Sequence, residues 1–124
     1  MKSIILFTAL SLIGCSATTA TKLATEFSHI QILQVGMDQG GEFCKDFTLT
    51  NNQVEQYFKQ VEEVTFKQLH DHYDYLPCFV KGTLQRQTKV CEFSIRAGAT
   101  AELNCSNDKQ YFYVCTTCEN FFTP

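Results

Sequence analysis

CFVKGTLQRQTKVCEFSIRAGATAELNCSNDKQYFYVCTTC, residues 78–118, is written in a two-residue period. Cys78 to Gln85, Lys89 to Ala97, Thr100 to Cys105 and Gln110 to Cys118 are four strand-like runs, rich in aromatic and β-branched residues. Between them lie Gln85-Arg86-Gln87-Thr88, Ala97-Gly98-Ala99 and Ser106-Asn107-Asp108-Lys109, each short enough for a hairpin. Consecutive strands joined by hairpins predict a four-stranded antiparallel meander. If Gly98 centres a three-residue loop, Cys91 and Cys105, each seven residues away, face one another across the middle hairpin. That places them within disulfide reach. Closing those fifteen residues stabilises a small fold by roughly 3 kcal/mol in the chain-entropy account.

Upstream, Phe27 to Met37 carries Ile30, Ile32, Leu33 and Val35 and meets the turn-forming Asp38-Gln39-Gly40-Gly41, predicting one N-terminal strand. Thr50 and Gln53 form a capping box, and Val54, Tyr57, Phe58 and Val61 then fall at i, i+3, i+4 and i+7. This predicts one amphipathic helix with Gln56, Lys59, Gln60 and Glu63 on its wet side. Glu62 to Asp74 mixes Val64, Phe66 and Leu69 with polar residues and reads as a short helical turn or an irregular connection. One strand and one helix before a meander give the α+β class, with disulfides stapling it.

Composition narrows the function classes. Ten Lys+Arg against thirteen Asp+Glu is too acidic and too evenly spread for a nucleic-acid binder, which needs a basic stripe. Eleven Phe and five Tyr, without Trp, supply the large apolar groups a compact core requires.

The N-terminus carries an address. Lys2 makes a minimal positive region, Ser3 to Ile13 is apolar but too short to span a bilayer, and Leu12-Ile13-Gly14-Cys15 follows. These first fifteen residues resemble a bacterial lipoprotein leader and its lipobox. The resemblance implies a signal peptide over 1–14, a diacylglycerol thioether on Cys15 and an acylated (palmitate-bearing) new N-terminus. Ser16 in place of aspartate implies the outer membrane, on the periplasmic face. Residues 15–25, with Ser16-Ala17-Thr18-Thr19-Ala20-Thr21, read as a flexible tether, leaving 26–124 as a single cysteine-rich domain. Loss of Lys2 with the leader takes the formal charge from -3 to -4. An ordinary secretory signal cut after Ala17 or Ala20 is the competing reading.

Cysteine counting favours lipidation. Of seven cysteines, assigning Cys15 to lipid leaves Cys44, Cys78, Cys91, Cys105, Cys115 and Cys118, an even set suited to disulfides in an exported chain. Cys115-Thr116-Thr117-Cys118 has the spacing of a redox dithiol. Thioredoxin-type pairs, however, open a helix after a strand, whereas this pair is expected to end a strand beside Glu119 with no helix after it. The structural expectation is that one or both staple the last strand to Cys44 and Cys78. A zinc site from Cys44, Cys78, Cys115 and Cys118 has only one short-spaced pair, so no metal or other cofactor is expected.

His70-Asp71-His72-Tyr73-Asp74-Tyr75 is the other candidate. Extended, it would set His70, His72 and Asp74 on one face, as a transition metal needs; helical, the two histidines point apart. The plainer expectation is a polar connection with Tyr73, Tyr75 and Leu76 packed under the sheet. Cys44 through Gln53, Tyr57-Phe58, His72 through Cys78, Gly82-Thr83-Leu84, Ile95 through Gly98 and Cys115 to Cys118 look like small exported proteobacterial proteins, a resemblance that implies no mechanism. The expected function is a non-enzymatic binding or interaction module, membrane-held through lipid on Cys15, with an envelope protein as partner. It is of inhibitor or immunity type, or an envelope-assembly accessory. The alternative is a thiol-disulfide redox protein using Cys115 and Cys118.

Overall fold

The computed structural model describes residues 25–122, together with Ser11 and Gly14. The segment expected to be a signal peptide, apart from Ser11 and Gly14, lies outside the described residues, as do Cys15 and nearly all of the expected tether. Along the chain run β1 (Phe27–Met37), a 3-10 turn (Gly41–Cys44), α1 (Asn51–Gln60), β2 (Glu62–Val64), α2 (Phe66–His72), β3 (Cys78–Arg86), β4 (Lys89–Arg96), β5 (Thr100–Cys105), β6 (Gln110–Val114) and α3 (Glu119–Phe122). The class is mixed α+β. The sheet is antiparallel, in the order β1-β3-β4-β5-β6-β2.

The meander occupies the middle of this sheet, with β4 and β5 in the register that pairs Cys91 with Cys105. Its central loop is centred on Gly98 as the spacing predicts, and the left-handed residue in it is Ala99, at φ 64°. Ala99 donates its N–H to Arg96 O at 3.0 Å, closing a turn followed by a bulge-type residue.

Three features correct the simpler expectation of five strands and one helix. After α1 the chain forms β2, which pairs Glu62 with Val114 and Val64 with Phe112. Three residues carrying two adjacent glutamates have no readable period, so only the waiting edge of β6 makes them a strand. α2 follows, opened by a second capping box in which the Thr65 hydroxyl accepts from the Gln68 N–H. Finally, the last predicted strand stops at Val114, and α3 follows Cys118 at once.

The core lies between one face of the sheet and α1. Val54, Tyr57 and Phe58 of α1 are buried against Val80, Leu84, Phe93, Ile95, Leu103 and Tyr113, the apolar phase of the four meander strands. The sheet is strongly coiled. Phe27 of β1 lies 4.8 Å from Phe58 and 5.7 Å from Tyr113, although β3, β4 and β5 stand between β1 and β6 in the sheet.

Tyr57 is fully buried and donates its hydroxyl to Ala99 O at 2.8 Å, tying α1 to the central hairpin. That carbonyl also accepts from Cys115 N at 3.1 Å, so it keeps a partner if the phenol is removed. Tyr57→Phe should therefore cost only about 1 kcal/mol at neutral pH. A second signature is expected in alkali. Burial holds the Tyr57 pKa well above its usual value, so between the unfolded and folded values the unfolded chain binds fewer protons. Stability then falls as pH rises above about 10. Urea unfolding at pH 8 and in alkali should show a flatter decline for Tyr57→Phe, the remainder coming from Tyr113 and Tyr75, whose pKa values are also raised. A parallel decline in both proteins would remove Tyr57 from the account.

Among the described residues all six cysteines are paired: Cys44 with Cys78, Cys91 with Cys105, and Cys115 with Cys118. The expected bridges from Cys115 or Cys118 to Cys44 or Cys78 do not form. Cys44 sits on the 3-10 turn after β1, beside the start of β3, while Cys118 is held four positions from Val114 by the turn that closes β6. The 115–118 loop packs back onto α1, with Thr117 Oγ1 donating to Gln60 Oε1 at 2.8 Å, and Phe122 of α3 stacks on Phe47 at 5.5 Å.

Candidate functional site: a cleft between helix α2 and the outer face of the sheet

The sheet face turned away from α1 carries the polar phase of the strands. Lys81, Glu92, Ser94, Arg96, Glu102 and Asn104 project there, because each alternates with a buried apolar neighbour. α2 covers one end of this face. Its first residue, Phe66, packs on Phe112 of β6 with ring centroids 5.4 Å apart, and β2 immediately before it is hydrogen-bonded to the same strand. The helix therefore leans over β5 and β4 without filling the space beneath it.

A cleft of about 490 Å3 results, within the range of small-ligand cavities. Phe66, Leu69, His70, Tyr73 and Tyr75 form its apolar and aromatic side; Ser94, Arg96, Thr100 and Glu102 line the sheet side. Ser94, Arg96 and Glu102 also border a smaller hollow of about 310 Å3 that runs toward Leu33, Lys81 and Asn104. The two hollows share those three residues on the outer face of the sheet.

Two groups set its chemistry. Arg96 is held in place from several sides: Nη1 donates to Asp38 Oδ2 at 3.1 Å and to Leu76 O at 3.0 Å, and the guanidinium lies 4.0 Å over the Tyr75 ring. Tyr75 in turn donates to Asp38 at 3.3 Å. Its pKa is raised, first by partial burial, with Arg96 opposing and Asp38 adding to the rise, so the phenol stays a donor at neutral pH. Ser94 is the opposite case. Its hydroxyl oxygen is buried and, among the described residues, without a hydrogen-bond partner. A buried polar atom in that state favours a water or a ligand that can satisfy it.

Between the N-terminal end of β1, α1 and β2 lies a much wider trough of about 1260 Å3, floored by Phe27, Phe58 and Tyr113 and walled by Glu26, Glu55, Glu62 and Glu63 with Lys59. It is the gap left between the two ends of the coiled sheet. The chain enters the fold at its rim, through Thr25 and Glu26.

The histidine run is placed differently from its extended reading. His70 and His72 lie on α2, two positions apart and so on different sides of the helix, and Asp74 follows its end. Asp71, held below the usual carboxylate range by Lys67 and then His70, completes an exposed ion-pair cluster on the helix surface. Among the described residues, no group of three His, Cys, Asp or Glu side chains is placed to hold a metal ion. Tyr75 does not pack under the sheet either; it is 71% exposed beside Arg96.

No family model, curated protein or solved structure matches this chain. Its site must be read from the residues themselves. Ser94, Arg96 and Glu102 were not singled out from the sequence as site residues, although their signal was present. In Cys91-Glu92-Phe93-Ser94-Ile95-Arg96 the polar members share a phase opposite to the core, and only a solvated sheet face was implied.

Proposed function

We propose that this chain is an exported, lipid-anchored binding module that takes an envelope protein partner at the cleft between α2 and the outer face of the sheet. The observation that carries the reading is the cleft itself: an aromatic side, a fixed Arg96 and an unsatisfied Ser94 hydroxyl converge in about 490 Å3 on the sheet face that α1 does not cover. Rigid aromatic groups around a few polar ones are what a specific contact surface requires. The anchor rests on Leu12-Ile13-Gly14-Cys15 and on the even set of six paired cysteines that remains once Cys15 is assigned to lipid.

One preparation tests both halves. The tethered protein is captured with its envelope partners under non-reducing conditions, alongside Ser94→Leu, which removes the hydroxyl and fills the cleft floor. The variant should melt like the parent and lose the partner by about tenfold or more in affinity. Mass spectrometry of the same material should find acyl mass on Cys15. Undiminished capture by a folded Ser94→Leu would reject the cleft, and an unmodified start at Thr18 or Thr21 would reject the anchor.

A second reading, thiol-disulfide exchange through Cys115 and Cys118, gains one point from the fold, since α3 follows the pair directly. Against it, the two residues are only 7% and 1% exposed and belong to the core cluster, and a single-turn helix has little dipole to stabilise a thiolate. A mixed disulfide trapped on Cys115 in Cys118→Ser would favour exchange; equal loss of stability on removing either cysteine favours a staple.

A further inference from the structure

We infer that the open edge of β1 is a self-association site, where a second copy of this chain adds its own β1 as an antiparallel strand. The two edges of the sheet are built differently. β2, at one end, is three residues long and begins with Glu62 and Glu63, both devices that discourage strand addition. β1, at the other, is eleven residues long and contains no Asp, Glu, Lys, Arg or Pro. Among the described residues nothing pairs with its outer side, because the sheet order ends there.

The direction of its backbone groups follows from the register. Asp38 donates its N–H to Pro77 O at 2.9 Å, in line with the pairs Met37↔Cys78, Gly36↔Phe79, Val35↔Val80 and Gln34↔Lys81. In an antiparallel pair, hydrogen-bonded and non-hydrogen-bonded positions alternate, so Gly36 and Gln34 address β3 while the N–H and C=O of Val35 and Met37 face the open edge. The irregularities of β1 fall between Ser28 and Gln31 and between Ile32 and Gln34, leaving Gln34 to Met37 regular. That regular piece is the part able to template another strand.

The same piece is apolar. Leu33, Val35 and Met37 are 63%, 47% and 46% exposed, so three of the exposed large hydrophobic side chains among the described residues cluster along one end of β1. A two-fold pairing centred on Val35 sets Val35 against its own counterpart and Gln34 against Gly36 of the second copy, with Leu33 and Met37 flanking the contact. Self-pairing is also favourable in charge. β1 itself carries no acidic or basic side chain of the Asp, Glu, Lys or Arg type, and Asp38, which follows it, is already matched by Arg96, so two copies of an acidic chain meet through a strand without net charge. A foreign strand would need a pattern that nothing here specifies, whereas a second copy brings the complementary apolar residues itself. If the chain is lipid-anchored, confinement to a membrane surface raises the effective concentration of copies and aids so short a contact.

The test uses the chain from Ser16 onward, which keeps β1 to α3 and every paired cysteine and has no Cys15 to link copies. Sedimentation equilibrium from low to high micromolar concentration should show reversible dimerisation. Val35→Lys, which would oppose two ammonium groups across the two-fold, should raise the dissociation constant by about tenfold or more. Val90→Lys, at another exposed apolar position of the sheet, should leave it unchanged. Amide exchange needs no variant: protection of the Val35 and Met37 N–H groups should grow with protein concentration. A parent that stays monomeric throughout, equal effects of the two lysine substitutions, or concentration-independent exchange at both amides would each overturn the proposal.

Discussion

Converting Cys44 and Cys78 together to alanine should lower the free energy of unfolding by about 4 kcal/mol, the chain-entropy value for a bridge whose ends are 34 residues apart. Against a total of about 5–15 kcal/mol for a domain of this kind, that is enough to leave much of the protein unfolded near body temperature. The bridge joins the turn after β1 to the first residue of β3, so cutting it frees the whole 45–77 segment in the unfolded chain, including α1, β2 and α2. Replacing both partners avoids a lone thiol in the buried Cys78 position. Urea titration measures the effect, and the slope of the transition should rise, because the unbridged chain exposes more surface. Cys115→Ala with Cys118→Ala opens only a four-residue loop and should cost about 2 kcal/mol on the same account. If the short bridge proved the costlier of the two, loop entropy would not be what these disulfides contribute.

Gly82→Ala is expected to be nearly as damaging for an unrelated reason. Alanine normally improves on glycine within a strand, since it restricts the unfolded backbone. Here a Cβ would lie 2.0 Å from the Gln31 carbonyl oxygen and 2.7 Å from the Phe93 ring. The carbonyl is delivered by the bulge between Ser28 and Gln31, where His29 adopts φ 54°, so β1 closes over β3 at the point where β3 has no side chain. Backbone cannot yield as a flexible side chain would. A loss of about 3 kcal/mol follows, or a melting temperature lower by about 12–24 °C. Gly98→Ala is the matched control: its nearest neighbours lie at 3.4 Å and its φ is ordinary, so it should melt within a few degrees of the parent. Equal shifts in the two variants would mean that glycine entropy, not close approach, governs position 82.

Legibility in the sequence followed the range of the interactions involved. The capping box at Thr50 and Gln53, the α1 stripe of Val54, Tyr57 and Phe58, and the Cys91–Cys105 bridge depend on residues within one helix or one hairpin, and each stands where its spacing puts it. Thr65 and Gln68 repeat the capping signature and open α2 in the same way, a local signal that separates the helical turn from the irregular connection where the mixed polarity of 62–74 does not. β2 had no local signal to offer. The partners of Cys44 and of the Cys115–Cys118 pair turned on where the chain returns after thirty-four residues in one case and on a tight turn in the other. Nothing in the spacing of those four cysteines separates the two outcomes.

The candidate site is the most tertiary feature of all. Ser94, Arg96 and Glu102 are ordinary polar-phase strand residues until α2, positioned by β2 and by Phe66 on Phe112, leans over them. By itself the sequence determined the meander, the α1 face, the hairpin bridge and the expectation of export, because alternation, capping and spacing act over a few residues and need no partner from afar. Only the tertiary structure decided which edge of the sheet is guarded and which is open, and which polar residues share a cleft. Those properties belong to how elements distant in the chain pack together, and a two-residue or four-residue period carries no information about that.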